Sequence, residues 1–197
     1  RVLLNAFNAW EYSWQCGRED LKENSMKVFD SYLKNGFTQA GFFKESVNFD
    51  RGYEDPVHSI RRQSEGVYAM LHFLAYEREN GRRHPEWEQK MKNMLDILLQ
   101  LQHEDGSFPR KFHDDFTIVD NSGGSTPSAT LPLIMGYKYF KDKRYLASAK
   151  RTADYLEKVL ISKADYFSST LDANCEDKEA SLYAATATYY LSLITKG

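Results

Sequence analysis

The side chains of this sequence that could do chemistry gather in its loops and at the starts of its helices. Asp50, Asp55, Glu65, Asp114, Asp115, Asp172, Glu176, Asp177 and Glu179 supply carboxyl groups there. Two carboxyls facing one bond can share the work of general acid and general base. Phe43, Tyr53, Phe108 and Phe112 offer flat faces for stacking on a ligand. Arg61, Arg62, Arg110 and His113 offer donors to hydroxyl or carboxylate oxygens. The densest mixture is "LQHEDGSFPRKFHDD", Leu101 to Asp115.

Each group also has an ordinary structural reading. Glu176, Asp177 and Glu179 suit the first turn of a helix, where the helix dipole favours negative charge. Asp115 and Asp172 have no evident capping task and occupy the acidic slot of a recurring loop. Glu65 lies near the start of a nearly all-apolar helix. It reads either as a first-turn carboxylate or as an inner-wall acid with a raised pKa. Asp115, Asp172, Glu65 and Asp177 are therefore the candidate catalytic carboxyls. Some of the aromatics are expected to pack within hairpins, and Arg61 and Arg62 to pair with neighbouring acids.

The elements that must position these groups are helices. In "HPEWEQKMKNMLDILLQLQ" the residues Trp87, Met91, Met94, Leu95, Leu98 and Leu101 fall three or four apart after a proline start, one amphipathic face. Leu146, Ala149, Ala153, Leu156 and Leu160 repeat that spacing, and Leu21, Val28 and Tyr32 follow it more loosely before Gly36. Between these outer helices lie "SEGVYAMLHFLAYE", "STPSATLPLIMGYKYF" and "EASLYAATATYYLSL", apolar or small on nearly every face, with "LLNAFNAWEYSW" ahead of them. Such helices must be buried on most sides. Alternation of buried and amphipathic helices predicts stacked helical hairpins in an all-α chain.

A loop recurs at each passage from outer to inner helix. "QAGFFKESVNFD", "EDGSFPRKFHDD" and "KADYFSSTLDAN" each carry an aromatic followed by an acid, with Phe43, Phe108 and Phe167 as anchors 65 and 59 residues apart. Ser64, Thr126 and Asn174 are expected to cap the inner helices that follow, so the three loops should rim one concavity. No strand alternation stands out, although "FFKESVNFDRGY" can hold a short hairpin.

Composition narrows the partners. At 197 residues with 42% hydrophobic content, the chain can bury one sizeable core. A formal net charge of -2, with no basic segment, argues against nucleic acid. The uncharged run Ala180 to Thr195 is too short to span a bilayer. Cys16 and Cys175 form no metal spacing and are expected as free thiols on opposite faces of the ring. Asp172, Asn174, Glu176 and Asp177 offer close-spaced oxygens without the glycine and closing glutamate of an EF-hand, so no metal and no cofactor is expected. "NSGGSTPS" lacks a phosphate-loop lysine.

"LLQLQHEDGSFP", "YFKDKRYLASAKRTADYL" and "LDANCEDKEASLYAATATYYL" together resemble the six-hairpin, (α/α)6-toroid glycosidases over most of Asp55 to Gly197. Gln102, Asp105, Gly106 and Phe108 are also similar to a repeat in terpenoid-cyclase-type toroids and in some polysaccharide lyases. The resemblance implies a carbohydrate-active enzyme, first of all a glycoside hydrolase acting by paired carboxyls. These stand about 5 to 5.5 Å apart for retention and about 6.5 to 9.5 Å for inversion. Phe43, Tyr53, Phe108 and Phe112 would then stack on a sugar, and Arg61, Arg62, Arg110 and His113 bond its oxygens. A lyase on a uronate-containing glycan and a non-catalytic glycan- or protein-binding repeat are the alternatives. Extracellular or periplasmic action is implied by the resemblance alone. Six hairpins need about 360 to 390 residues at this repeat length. The chain is therefore expected to be one domain of about three and a half hairpins, part of a longer protein, completed by the rest of its ring or by a second copy.

Overall fold

The computed structural model of the chain describes residues 2–48, 50–122, 125–164, 176 and 178–195. They form helices α1 (Val2–Cys16), α2 (Glu19–Asn35), α3 (Ile60–Glu79), α4 (Pro85–Leu101), α5 (Thr126–Phe140), α6 (Lys143–Tyr155) and α7 (Lys178–Thr195), with a π-helical turn Leu156–Ile161 extending α6. Packing follows the expected alternation. α3 lies between α1 and α5, and α5 between α3 and α7, while α2 backs α1, α4 backs α3 and α5, and α6 backs α5. The inner helices are sheathed by neighbours: α3 buries residues from Ile60 to Glu77 around its circumference, and α5 buries a continuous run from Thr126 to Gly136. Gly136 is where α5 comes closest to its outer partners. A Cβ there would lie 2.6 Å from Leu95 and 3.3 Å from Tyr145.

The outer faces are turned slightly from the sequence expectation. α4 buries Met91, Met94, Leu95, Leu98 and Leu101 as predicted. α2 buries Ser25, Phe29 and Leu33, leaving Val28 and Tyr32 on the margin. α6 buries Tyr145, Ser148, Ala149 and Thr152, leaving Leu146 and Ala153 half-buried. Ser148 and Thr152 can go inside because Gln102 meets them. Its amide donates to the Ser148 carbonyl (3.0 Å) and Thr152 Oγ1 (2.9 Å) and accepts from Ser148 Oγ (2.8 Å).

Among the described residues, five short strands interrupt the helices. β1 (Val47–Asn48) and β2 (Tyr53–Glu54) pair as a hairpin within the stretch that could hold one. β3 (Val57–Ser59), β4 (Lys111–His113) and β5 (Ile118–Asp120) form an antiparallel sheet in the order β3-β4-β5, with His58 opposite Phe112. This sheet was not expected. Three residues give no period to read, and β3 finds its partner more than fifty positions away. It joins the first two rim loops directly.

The sheet also moves the helix starts. β3 delivers the chain into α3 at Ile60, whose N–H donates to the Arg110 carbonyl (3.2 Å). Ser64 is therefore buried inside α3 and caps nothing. Thr126 is the first residue of α5, and its hydroxyl accepts from Phe108 N–H (2.9 Å) instead of capping its own helix. Asn174, Phe167 and Cys175 lie outside the described residues; Cys16 is an exposed free thiol. No helix among the described residues is long and apolar enough to cross a membrane.

Candidate functional site

Charged side chains meet across the leading ends of α3 and α7. On α3, Arg61 and Glu65 are one turn apart, so they share a face; Glu179 and Tyr183 repeat that spacing on α7. Arg61 Nε donates to Glu65 Oε1 (2.8 Å), and the same guanidinium pairs with Glu179. The Tyr183 hydroxyl also donates to Glu65 Oε1 (2.5 Å). Arg61 and Glu65 are 3% and 4% exposed. The second carboxylate oxygen, Glu65 Oε2, is buried without a partner among the described residues.

The electrostatics follow from this crowding. Burial works to lower the Arg61 pKa, but the hydrogen bond and charge of Glu65, with Tyr183 and Glu179, raise it well above the ordinary value. Burial, then the Glu65 carboxylate, pushes the Tyr183 phenol up, so it stays protonated and donates. A buried carboxylate oxygen left unbonded costs about 1 to 3 kcal/mol, which is why an orphan of this kind at a helix start marks a place for a ligand hydroxyl or water. Further along the same face of α3, burial, then the neighbouring Tyr190 of α7, pushes the Tyr68 phenol up. His72 packs its ring against Phe7 and Tyr68, with Nε2 buried and without a partner among the described residues. Arg61, Glu65, Tyr68 and His72 thus form a polar stripe down one face of α3.

The predicted aromatic platforms are core instead. Phe43, Phe108 and Phe112 are buried, at most 3% exposed, and cannot stack on a ligand. Two of them are held alike. Phe43 N–H and carbonyl both bond the Gln63 amide (2.8 Å each), while Phe108 N–H bonds Thr126 Oγ1, in each case a polar side chain near the start of the next inner helix. Phe43 and Phe108 thus lock their loops to the helices they feed. Arg110 is also buried, pinning the sheet through Asp120 (Nη1 to Oδ2, 3.3 Å). His113 is half-buried on β4 with Nδ1 at 3.1 Å from the Pro56 carbonyl. Tyr53 is 54% exposed in the β1–β2 hairpin, away from the Arg61 cluster in any recorded contact.

Asp115 has the turn-stabilising task the sequence did not reveal. It lies exposed between β4 and β5, where its Oδ1 accepts Thr117 N–H (2.9 Å), and that backbone bond holds its pKa below the usual range. Asp172 and Asp177 lie outside the described residues. Of the predicted site residues, the structure brings Glu65 and Arg61 together; Arg62 points to Glu45 (3.1 Å) instead.

Two features escaped the sequence. Tyr183 had no signal beyond its one-turn spacing from Glu179. The other is a pair: His58 Nε2 meets Asp114 Oδ1 at 2.6 Å, its ring fully buried and stacked on Phe42, with Nδ1 lacking a partner among the described residues. Only the pairing of β3 with β4 makes it. Among the described residues no group of three or more His, Cys, Asp or Glu could hold a metal ion.

No protein-family model matches the sequence. Solved structures share its fold. A possible member of the GH105 family from Salmonella enterica serovar Paratyphi A superposes with a TM-score of 0.79 at 12% identity, over 98% of this chain and 55% of that one. Cellobiose 2-epimerase from Bacillus thermoamylovorans gives 0.70 at 15% identity, over 98% and 51%. Unsaturated glucuronyl hydrolase from Bacillus sp. GL1 gives 0.68 at 13% identity, over 94% and 52%. The chain therefore spans about half the length of these structures. All are six-hairpin, glycosidase-like (α/α) toroids, and that is the fold of this chain, an all-α partial toroid.

Proposed function

We propose that this chain is part of a carbohydrate-active enzyme that hydrolyses a glycosidic bond, with Glu65 at the centre of its site. The observation that carries the reading is the Glu65 carboxylate: buried at the leading end of an inner helix, fixed through Oε1 by Arg61 and Tyr183, and unbonded at Oε2. The carbohydrate enzymes among the structural neighbours support the substrate class.

Chemistry assigns the roles. Arg61 and Tyr183 occupy Oε1, so on this reading Oε2 is the atom that acts, as base or nucleophile. The general acid then comes from another candidate carboxyl, Asp172 or Asp177, and gives its proton to the leaving oxygen as water or Glu65 attacks the anomeric carbon. Arg61 and Tyr183 position Glu65 and do not touch the substrate. The complete ring, not this arc alone, is the expected working unit.

The test is turnover of a glycan panel by the complete protein beside Glu65→Gln, Asp172→Asn and Asp177→Asn. Glu65→Gln and one of the aspartate variants should each lose about 100-fold or more in kcat with little change in KM. Undiminished turnover in Glu65→Gln ends the proposal. Unsaturated products absorbing in the ultraviolet would mark a lyase, and binding without turnover a carbohydrate-binding repeat.

A further inference from the structure

On the other flank of α3, beside α1, a cavity of about 410 Å3 opens next to Arg62. That volume lies in the lower part of the range of small-molecule sites. Leu3, Leu4, Tyr32 and Phe43 give it apolar walls, and Glu45 and Arg62 give it charge. The Glu45 side chain is fully buried. One of its oxygens accepts from Ser59 N–H (2.7 Å) and the Gln63 amide (3.1 Å), and the other takes Arg62 Nη1 (3.1 Å). Glu45 is thereby fixed, and it fixes Arg62 in turn.

Arg62 uses little of its capacity. Its side chain is 44% exposed, and its bonds among the described residues all leave from Nη1, to the Glu45 carboxylate and carbonyl. The Nε–H and Nη2–H edge has no partner among those residues. That edge presents two parallel donors with the spacing of a carboxylate's two oxygens. Lys44 on the same wall is occupied by Glu54 at 3.2 Å. Arg62 and Glu45 together carry no net charge, so a bound monoanion leaves the pair at -1 and a phosphate dianion at -2, which makes the monoanion the less costly guest, held by paired hydrogen bonds.

We propose that this cavity binds a small monocarboxylate with a ring-sized apolar body. The carboxylate is taken side-on by Arg62 Nε–H and Nη2–H, and the body rests against the half-buried Leu4 and Tyr32. The assignment is independent of the glycosidase reading, because Glu65 and Arg61 take no part in it.

Calorimetric titration of the complete protein with benzoate, its neutral isostere benzamide and inorganic phosphate tests it. Benzoate should bind at least roughly tenfold more tightly than either, the scale of a bidentate charge-assisted pair. Arg62→Gln should abolish the preference and Arg62→Lys should retain part of it, with unchanged helix content by circular dichroism. Lys44→Gln should leave it intact. No benzoate binding, equal binding of benzamide, tighter binding of phosphate, or a benzoate preference that survives Arg62→Gln each overturns the proposal.

Discussion

The loop from Gln102 to Phe108 and the polar stripe down α3 make opposite use of conspicuous residues. The loop is rich in side chains that look reactive, yet Gln102, Asp105 and Phe108 are spent on the fold. Gln102 latches α6, Asp105 accepts from Ser107 N–H (2.9 Å) and Oγ (2.6 Å), and Phe108 fills the core. Gly106 has φ +91 and passes so near α6 that a Cβ would lie 2.2 Å from the Arg151 carbonyl oxygen. In the α3 stripe the residues are less conspicuous, but Glu65 and His72 keep buried polar atoms unspent. Chemistry is to be sought where burial leaves a polar atom without a partner, not where charged residues crowd an exposed loop.

Substitutions can break or sharpen that contrast. Phe108→Ala should lower unfolding free energy by about 4 kcal/mol, as for other fully buried phenylalanines, read from urea denaturation; a loss under about 1 kcal/mol would mean the aromatic is not a core anchor. Gly106→Ala should cost about 3 kcal/mol through the left-handed backbone and the clash with α6. Equal stability would remove the close approach.

On the stripe, pH is the sharper probe. Burial, with Lys138 nearby, lowers the His72 pKa to about 4, whereas an unfolded histidine titrates near about 6.5. Between those values the unfolded chain holds the extra proton, so stability is full above pH ~6.5 and falls on acidification towards pH ~4. The parent should lose about 2 kcal/mol more than His72→Phe over that window, allowing for partial exposure. Parallel pH profiles would show that His72 is hydrated. The smallest effect is expected at the latch: Gln102→Ala should cost about 1 to 2 kcal/mol by leaving Ser148 and Thr152 short of partners, seen as a modest fall in Tm.

Much of the fold was legible because helix periodicity is local. The alternation of Met94–Leu98-type faces with helices apolar all round sufficed for stacked hairpins. The spacing of Phe43 and Phe108 marked loops that prove equivalent. The β3-β4-β5 sheet was not legible, since three-residue strands pair across the chain, and with it went the start of α3 at Ile60 and the His58–Asp114 contact. Glu65 was visible only as one acid among several. What distinguishes it, Tyr183 and Arg61 on one oxygen and nothing on the other, depends on where α7 returns beside α3. Phe43 and Phe112 were read as platforms because sequence gives an aromatic's presence and not which way it faces.

A crystal structure of the complete protein with a bound saccharide product tests the central claim most directly. A sugar oxygen should stand within about 2.6 to 3.2 Å of Glu65 Oε2, with Arg61 and Tyr183 still on Oε1. A product bound elsewhere, with Glu65 Oε2 still buried and unbonded, would contradict it.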